Sequence, residues 1–205
     1  VHLKRERERE RGTTALPYMR FVGIVLAALT VSSIMGLTTS KSFGGVASSI
    51  MGDEKIMSKK AHGTCAHGPA KNLRWNVDPK TTDKICCYNR HYAEHSGYWT
   101  STDFLKEMAN PTGEVVFYDS VSQKPLFVAP RGRSWAAFIK ESRAHGWPSF
   151  RDEEVLTESV RVLKNGEAVS VDGTHLGHNL PDRTGNRYCI NLVSVAGMPK
   201  EGGDL

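Results

Sequence analysis

The stretch THLGHNLPDRTGNRYCINLVSV, Thr174 to Val195, holds two histidines three positions apart, His175 and His178, and a lone cysteine, Cys189, inside a strand-like run. A thiolate is a soft nucleophile, an imidazole exchanges protons near neutral pH, and both bind transition metals. Residue type alone therefore leaves three readings: a buried structural thiol, one leg of a metal site with the two histidines, or a nucleophile with proton-handling neighbours. Arg187 and Asn191 stand two positions either side of Cys189, so a strand places all three on one face, and the Arg187 charge would favour a thiolate there. Upstream, GWPSF (Gly146 to Phe150) supplies Trp147 and Phe150 as apolar surface. The remaining cysteines, Cys65, Cys86 and Cys87, form no CxxC pair and fit either a small disulfide framework or auxiliaries to a reactive thiol.

The elements that must position these residues are short. Asp78 as N-cap and Pro79 as the first helical residue launch KTTDKICCYNRHYAE, which carries Cys86 and Cys87. Ser101, Thr102 and Asp103 are candidate caps for a helix through FLKEM, and Asn110-Pro111 breaks the chain before two strands, GEVVFYDS and PLFVAP. Trp135, Phe138 and Ile139 give Ser134 to His145 a helical apolar stripe that Gly146 closes. Asn165-Gly166 lies between alternating runs and signals a hairpin, and Asn186 to Val195 reads as the last strand. The expectation is an α+β fold: a small antiparallel β-barrel or two-sheet domain over 97–198, preceded by peripheral helices in a subdomain over 62–96 and followed by a tail over 199–205.

With 205 residues, 39% of them hydrophobic, the chain suits one domain with tails. Its net charge of +5 sits largely in polar segments such as KRERERER, and no basic stripe interleaves with aromatics, so nucleic acid is not an expected partner. Residues 1–18 read as disordered or as upstream extension. From Met19 the order is Arg20, an apolar run from Phe21 to Val31 and then small polar residues, the pattern of a signal peptide over 19–40. Eleven apolar residues are few for a span, so no stable membrane anchor is expected. The Ser/Gly/Lys-rich segment 41–61 reads as a linker. Together these suggest the secretory pathway or secretion, with a plastid reached by the secretory route as the alternative.

GWPSF, HLGH (His175 to His178) and RYCIN (Arg187 to Asn191), in this order and at this separation, resemble the methionine sulfoxide reductase B family, the SelR-type domain that reduces methionine-R-sulfoxide. The resemblance is specific from about His145 to Val195 and looser from Gly97 to Pro130, where PLF (Pro125 to Phe127) looks like a family strand. It implies that Cys189 is the nucleophile, that His175, His178 and Asn191 line the site beside it, and that Trp147 forms the apolar side of a methyl pocket; Phe150 goes to pocket wall or core. It also implies oxidised methionine, free or in proteins, as substrate and an external dithiol such as thioredoxin as reductant.

Two departures qualify this. Where many members carry two zinc-binding CxxC pairs, this chain has Asp119, Ser122, Val169 and Asp172, so no structural zinc is expected. The position just upstream of GWPSF that often carries a resolving thiol has no cysteine; Cys86 and Cys87 are the candidates, Cys65 a weaker one, and an external thiol the fallback. Neighbouring helical residues point about 100° apart, so one of the pair can face the site while the other joins Cys65. His62, His67, His91 and His95 match no tetrahedral spacing with Cys65 and read as surface histidines. The competing readings are a non-catalytic ligand-binding module with structural disulfides and a cupin-like metal site on His175, His178 and Cys189.

Overall fold

A computed structural model describes residues 50–200; the expected extension at 1–18, the expected signal peptide at 19–40 and residues 201–205 lie outside the described residues. Among the described residues no helix is long and apolar enough to cross a membrane. The architecture is α+β. Strands β1 (Val115–Tyr118) and β2 (Pro125–Ala129) make one antiparallel pair. The second sheet contains β3 (Ser149–Phe150), β4 (Val160–Val162), β5 (Glu167–Ser170), β6 (His175–Asn179) and β7 (Tyr188–Ile190), in the antiparallel order β3-β7-β6-β5-β4.

Neither sheet closes, so the barrel alternative is corrected to two open sheets. The free edge of β4 is covered instead by residues 50–52: Met51 bridges Val162, and the Gly52 amide donates to the Val162 carbonyl at 2.9 Å. An edge strand covered in this way needs no closure. The same contacts correct the linker expectation for its described part, 50–61. Ile50 is in the main core, and Met57 packs with Leu163 and Val169.

The helices start where their local signals place them, but the run launched by Asp78-Pro79 leaves helical structure after Tyr88, short of Glu94. Asp78 caps α1 (Pro79–Asp83) by accepting from the Thr81 amide at 2.8 Å, and a π-helical turn over Lys84–Tyr88 continues it. Short α2 covers Phe104–Glu107. Ser134 caps α3 (Trp135–His145), and Gly146, with φ of 86°, ends it in the left-handed conformation that glycine adopts most easily. Trp75, Val77 and Ile85 enter the same core as Phe104, Phe117, Leu126 and Ile190. Residues 62–96 therefore share the main core through Trp75, Val77 and Ile85 instead of packing as a separate subdomain, while Cys65, Cys86 and Cys87 cluster apart with Val121. Phe150 also belongs there. It is fully buried and stacks on Phe127 with centroids 4.3 Å apart, which removes it from the pocket wall.

The turns that the resemblance assigns to zinc cysteines are joined by hydrogen bonds. Buried Asp119 accepts from Thr174 Oγ1 at 2.9 and 3.0 Å, Ser122 Oγ at 2.9 Å and the Val121 amide at 2.8 Å. Lys124 reaches Asp172 at 3.0 Å across the same joint. A Cys65–Cys87 disulfide packs against Val121 beside it. Closing a loop of this size by a disulfide is worth about 3 kcal/mol.

Candidate functional site

Residues three apart on a regular strand face opposite ways. His175 and His178 nevertheless line one cavity, because the β5–β6 register slips: Ala168 faces Gly177, while Val169 faces His175, leaving Leu176 as an extra residue. This bulge brings both rings to the same side, with centroids 5.8 Å apart. Gly177 makes the neighbouring pairing possible, since a Cβ there would lie 2.1 Å from the Cys189 carbonyl oxygen. Cys189 sits at the centre of β7, opposite His178 on β6 and Ser149 on β3. Direct cross-strand partners hold their Cβ atoms about 5 Å apart, and both side chains line the same cavity.

The cavity has a volume of about 300 Å³ and is lined by Trp147, His175, His178, Cys189 and Asn191 together with residues 91–93. Thus Cys189, both histidines, Asn191 and Trp147 come together. Arg187 does not line it, and its Nε and Nη1 have no hydrogen-bond partner among the described residues. Cys87 is consumed in the disulfide, and Cys86 is a fully buried free thiol whose sulfur lies 3.6 Å from Ser194 Oγ and 3.8 Å from the Val193 carbonyl. Neither lines the cavity, which corrects both as internal resolving thiols. The adjacent pair does divide on the helix, one sulfur toward Cys65 and one toward Ser194, but neither toward Cys189.

Several residues that hold the site escaped the sequence reading. Glu167, buried on β5, accepts from His175 Nδ1 at 2.8 Å and from Arg90 Nη2 at 2.6 Å and Nε at 3.0 Å. Burial pushes its carboxyl up, but the hydrogen bonds and charges of His175 and Arg90 outweigh that and hold it below the usual range. The contact leaves His175 Nε2 as its other ring nitrogen. Glu94 fastens the opposite wall. Its carboxylate accepts from the Leu192 and Val193 amides at 2.7 and 3.1 Å, its amide donates to Asn191 Oδ1 at 3.2 Å, and its carbonyl accepts from Trp147 Nε1 at 3.1 Å. Asn191 Nδ2 in turn donates to the Leu176 carbonyl at 3.1 Å. A lone Glu in HYAEHSGYW carries no local signal for such a role.

Burial pushes the Glu94 carboxyl up to about 7, against the two amides that lower it. The folded chain therefore keeps this proton up to about pH 7, while an unfolded chain releases it near 4.5. Its contribution to stability is full below 4.5 and is lost as pH rises through 7, a change of about 3 kcal/mol. Urea unfolding of wild type and Glu94→Gln across this range should show the wild type losing ground to the variant by that amount. A constant difference would rule out the linkage.

The loop entering β7 is also pinned. Arg151 Nη2 donates to Asp182 Oδ2 at 2.8 Å, and this bond holds the Asp182 carboxyl well below the carboxylate range. Tyr188 OH donates to Asp152 Oδ1 at 2.9 Å, and Asn186 Nδ2 reaches the same carboxylate oxygen at 3.1 Å. These contacts fix where Arg187 emerges. Burial pushes the Cys189 thiol up; the charge of Arg187 pulls it back, but burial wins. The thiol is thus not depressed in the free protein, contrary to what Arg187 alone suggests. Arg187→Gln should raise the pH midpoint of Cys189 alkylation by iodoacetamide and slow the reaction at pH 7 several-fold. An unchanged profile would remove Arg187 from thiol activation. Burial lowers His178 below the usual imidazole range, so its ring is mostly neutral at pH 7 and able to accept a proton.

Within the described residues, only His62, Asp83 and Cys87 bring three potential metal-ligand atoms within 4.8 Å of one another. The donors of His175, His178 and Cys189 do not converge that closely, so the geometry gives the cupin-like reading no support. No known protein-family model matches the chain.

Proposed function

We propose that the protein is a thiol-dependent oxidoreductase that reduces methionine-R-sulfoxide to methionine. The observation that carries this reading is the free thiol of Cys189 placed opposite His178 in a small cavity with Trp147 on its wall. A binding module with structural disulfides has no use for an unpaired cysteine at the pocket surface. The three sequence motifs supply the assignment to this chemistry. The cavity supplies the three things it needs: a soft nucleophile, a proton carrier and an apolar surface for the substrate methyl.

In the proposed step the Cys189 thiol proton passes to neutral His178 as sulfur attacks the sulfoxide sulfur. His178 returns that proton to the departing oxygen, which is transferred to Cys189. The sulfoxide sulfur gains two electrons and leaves as thioether; Cys189 loses two and becomes sulfenic acid. His175, held through Nδ1 by Glu167, orients the second imidazole, and Asn191 and Trp147 are held through Glu94. The buried Arg187 charge stabilises sulfur as it loses its proton. With Cys86 and Cys87 away from the cavity, the sulfenic acid is reduced by an external dithiol of the thioredoxin type, giving the Cys189 thiol, water and the oxidised dithiol.

Incubation with an R-sulfoxide peptide in the absence of reductant, followed by dimedone, should label Cys189 while Cys65–Cys87 stays linked and Cys86 stays free. A disulfide between Cys189 and any other cysteine of the chain would overturn direct external reduction.

A further inference from the structure

The geometry points to a second redox form of the protein, in which reduction of the Cys65–Cys87 disulfide creates a zinc site from Cys65, Cys87, His62 and Asp83. Two ligand pairs with metal-binding spacing meet here. His62 and Cys65 close a tight turn in which each amide donates to the other's carbonyl, at 3.0 and 2.9 Å. Asp83 and Cys87 lie one helical turn apart on the segment that carries α1 into the π-turn. The turn is clamped to that segment: the Thr64 amide donates to the Cys87 carbonyl at 2.8 Å, and a Cβ on Gly63 would come within 2.0 Å of the same oxygen. His62 Nε2 and Asp83 Oδ1 are 2.6 Å apart, and donor atoms of His62, Asp83 and Cys87 all fall within 4.8 Å; the Cys65 sulfur lies outside that group and joins it only when the disulfide opens and its side chain turns. Asp83 is the partner missing from the histidine-and-cysteine spacings of the sequence.

These four donors suit a tetrahedral borderline-soft cation: two thiolates, one imidazole and one carboxylate. Two thiolates on one zinc stand about 3.8 Å apart, given Zn–S distances of about 2.3 Å. The Cα atoms of Cys65 and Cys87, 5.3 Å apart, allow this by side-chain rotation. His62 and Asp83, with side chains 31% and 38% exposed, give an ion access from solvent. Cys87 lines a surface depression with Gly63, Thr64 and Tyr88 through which a dithiol reaches the bond.

The chemistry balances in two steps. A dithiol gives two electrons and two protons to the disulfide, forming two thiols and its own cyclic disulfide. Zinc then displaces the two thiol protons and binds neutral His62 and ionised Asp83. The disulfide and the metal are alternative clamps on the same turn, so zinc bound to the reduced chain blocks reoxidation.

Cobalt titration of the full chain carrying Cys86→Ser and Cys189→Ser tests this, since reduction then exposes no other thiol. After reduction with a phosphine under argon, one equivalent of cobalt should bind with a thiolate charge-transfer band and intense tetrahedral visible bands, and zinc should bleach both. The unreduced protein should bind none. His62→Ala and Asp83→Asn should each weaken binding by at least the ~10–100-fold that outer contacts alone are worth at metal sites. If reduction unfolds the chain, zinc should restore its circular dichroism. No stoichiometric uptake, no zinc-dependent refolding, or uptake indifferent to both His62 and Asp83 would overturn the site.

Discussion

Cys189→Ser is expected to abolish turnover of a methionine-R-sulfoxide substrate, lowering the rate by roughly 10³-fold or more, because a hydroxyl at this position is a far poorer nucleophile than a thiol. The fold should survive. Cys189 is partly exposed to the cavity, forms no disulfide, and is replaced by a side chain of nearly the same shape. Equal urea midpoints for the two proteins, beside the loss of rate, would separate chemistry from stability. Retained turnover in the serine variant would eliminate the proposed step, since no other free thiol lines the cavity.

Glu167→Ala is expected to have the largest effect on stability among the site residues, about 3 kcal/mol. Removing one member of a buried ion pair leaves its partners uncompensated, at a cost of about 3–5 kcal/mol. The low end applies because the Arg90 side chain is 26% exposed and retains Glu54 at 2.5 Å. Among the described residues, His175 Nδ1 loses its only hydrogen-bond partner, so the ring that Glu167 orients becomes free to turn and activity falls as well. Glu167→Gln keeps the volume and one acceptor oxygen, and should cost about half as much. Urea unfolding measures both; a loss below about 1 kcal/mol for the alanine variant, with unchanged kinetics, would show that Glu167 neither clamps Arg90 nor orients His175.

How far the sequence revealed this molecule depended on whether the signal was local. Asp78-Pro79, Ser134 with Gly146, and Asn165-Gly166 are local devices, and α1, α3 and the β4–β5 turn lie where they place them. The period of two groups Arg187, Cys189 and Asn191; Cys189 and Asn191, just past β7, line the cavity, whereas Arg187 does not. The histidines are different: period-two counting separates His175 from His178, and only the bulge in the β5–β6 register reunites them. A bulge is decided by pairing between strands, not by the residues of one. Glu94 and Glu167 were invisible for a related reason. Each acts on partners far along the chain, Glu94 on Leu192 and Glu167 on Arg90, and a single acidic residue does not announce a remote partner.

Composition misled where it stood in for packing. Segment 50–61 is Lys-rich with little apolar periodicity, but Ile50 and Met57 are enough to anchor it to the sheet. Phe150 is aromatic beside the pocket motif, yet the strand turns it inward onto Phe127. Two adjacent cysteines on a helix suggested one resolving thiol; one is tied to Cys65 and the other is sealed beside Ser194.

The most direct test of the proposed activity is a stereospecific assay on the wild-type chain with dithiothreitol as reductant, offering the R and S epimers of a peptide methionine sulfoxide separately. The proposal predicts catalytic conversion of the R epimer to methionine and none of the S epimer above background. Reduction of neither epimer, or equal reduction of both, would contradict it.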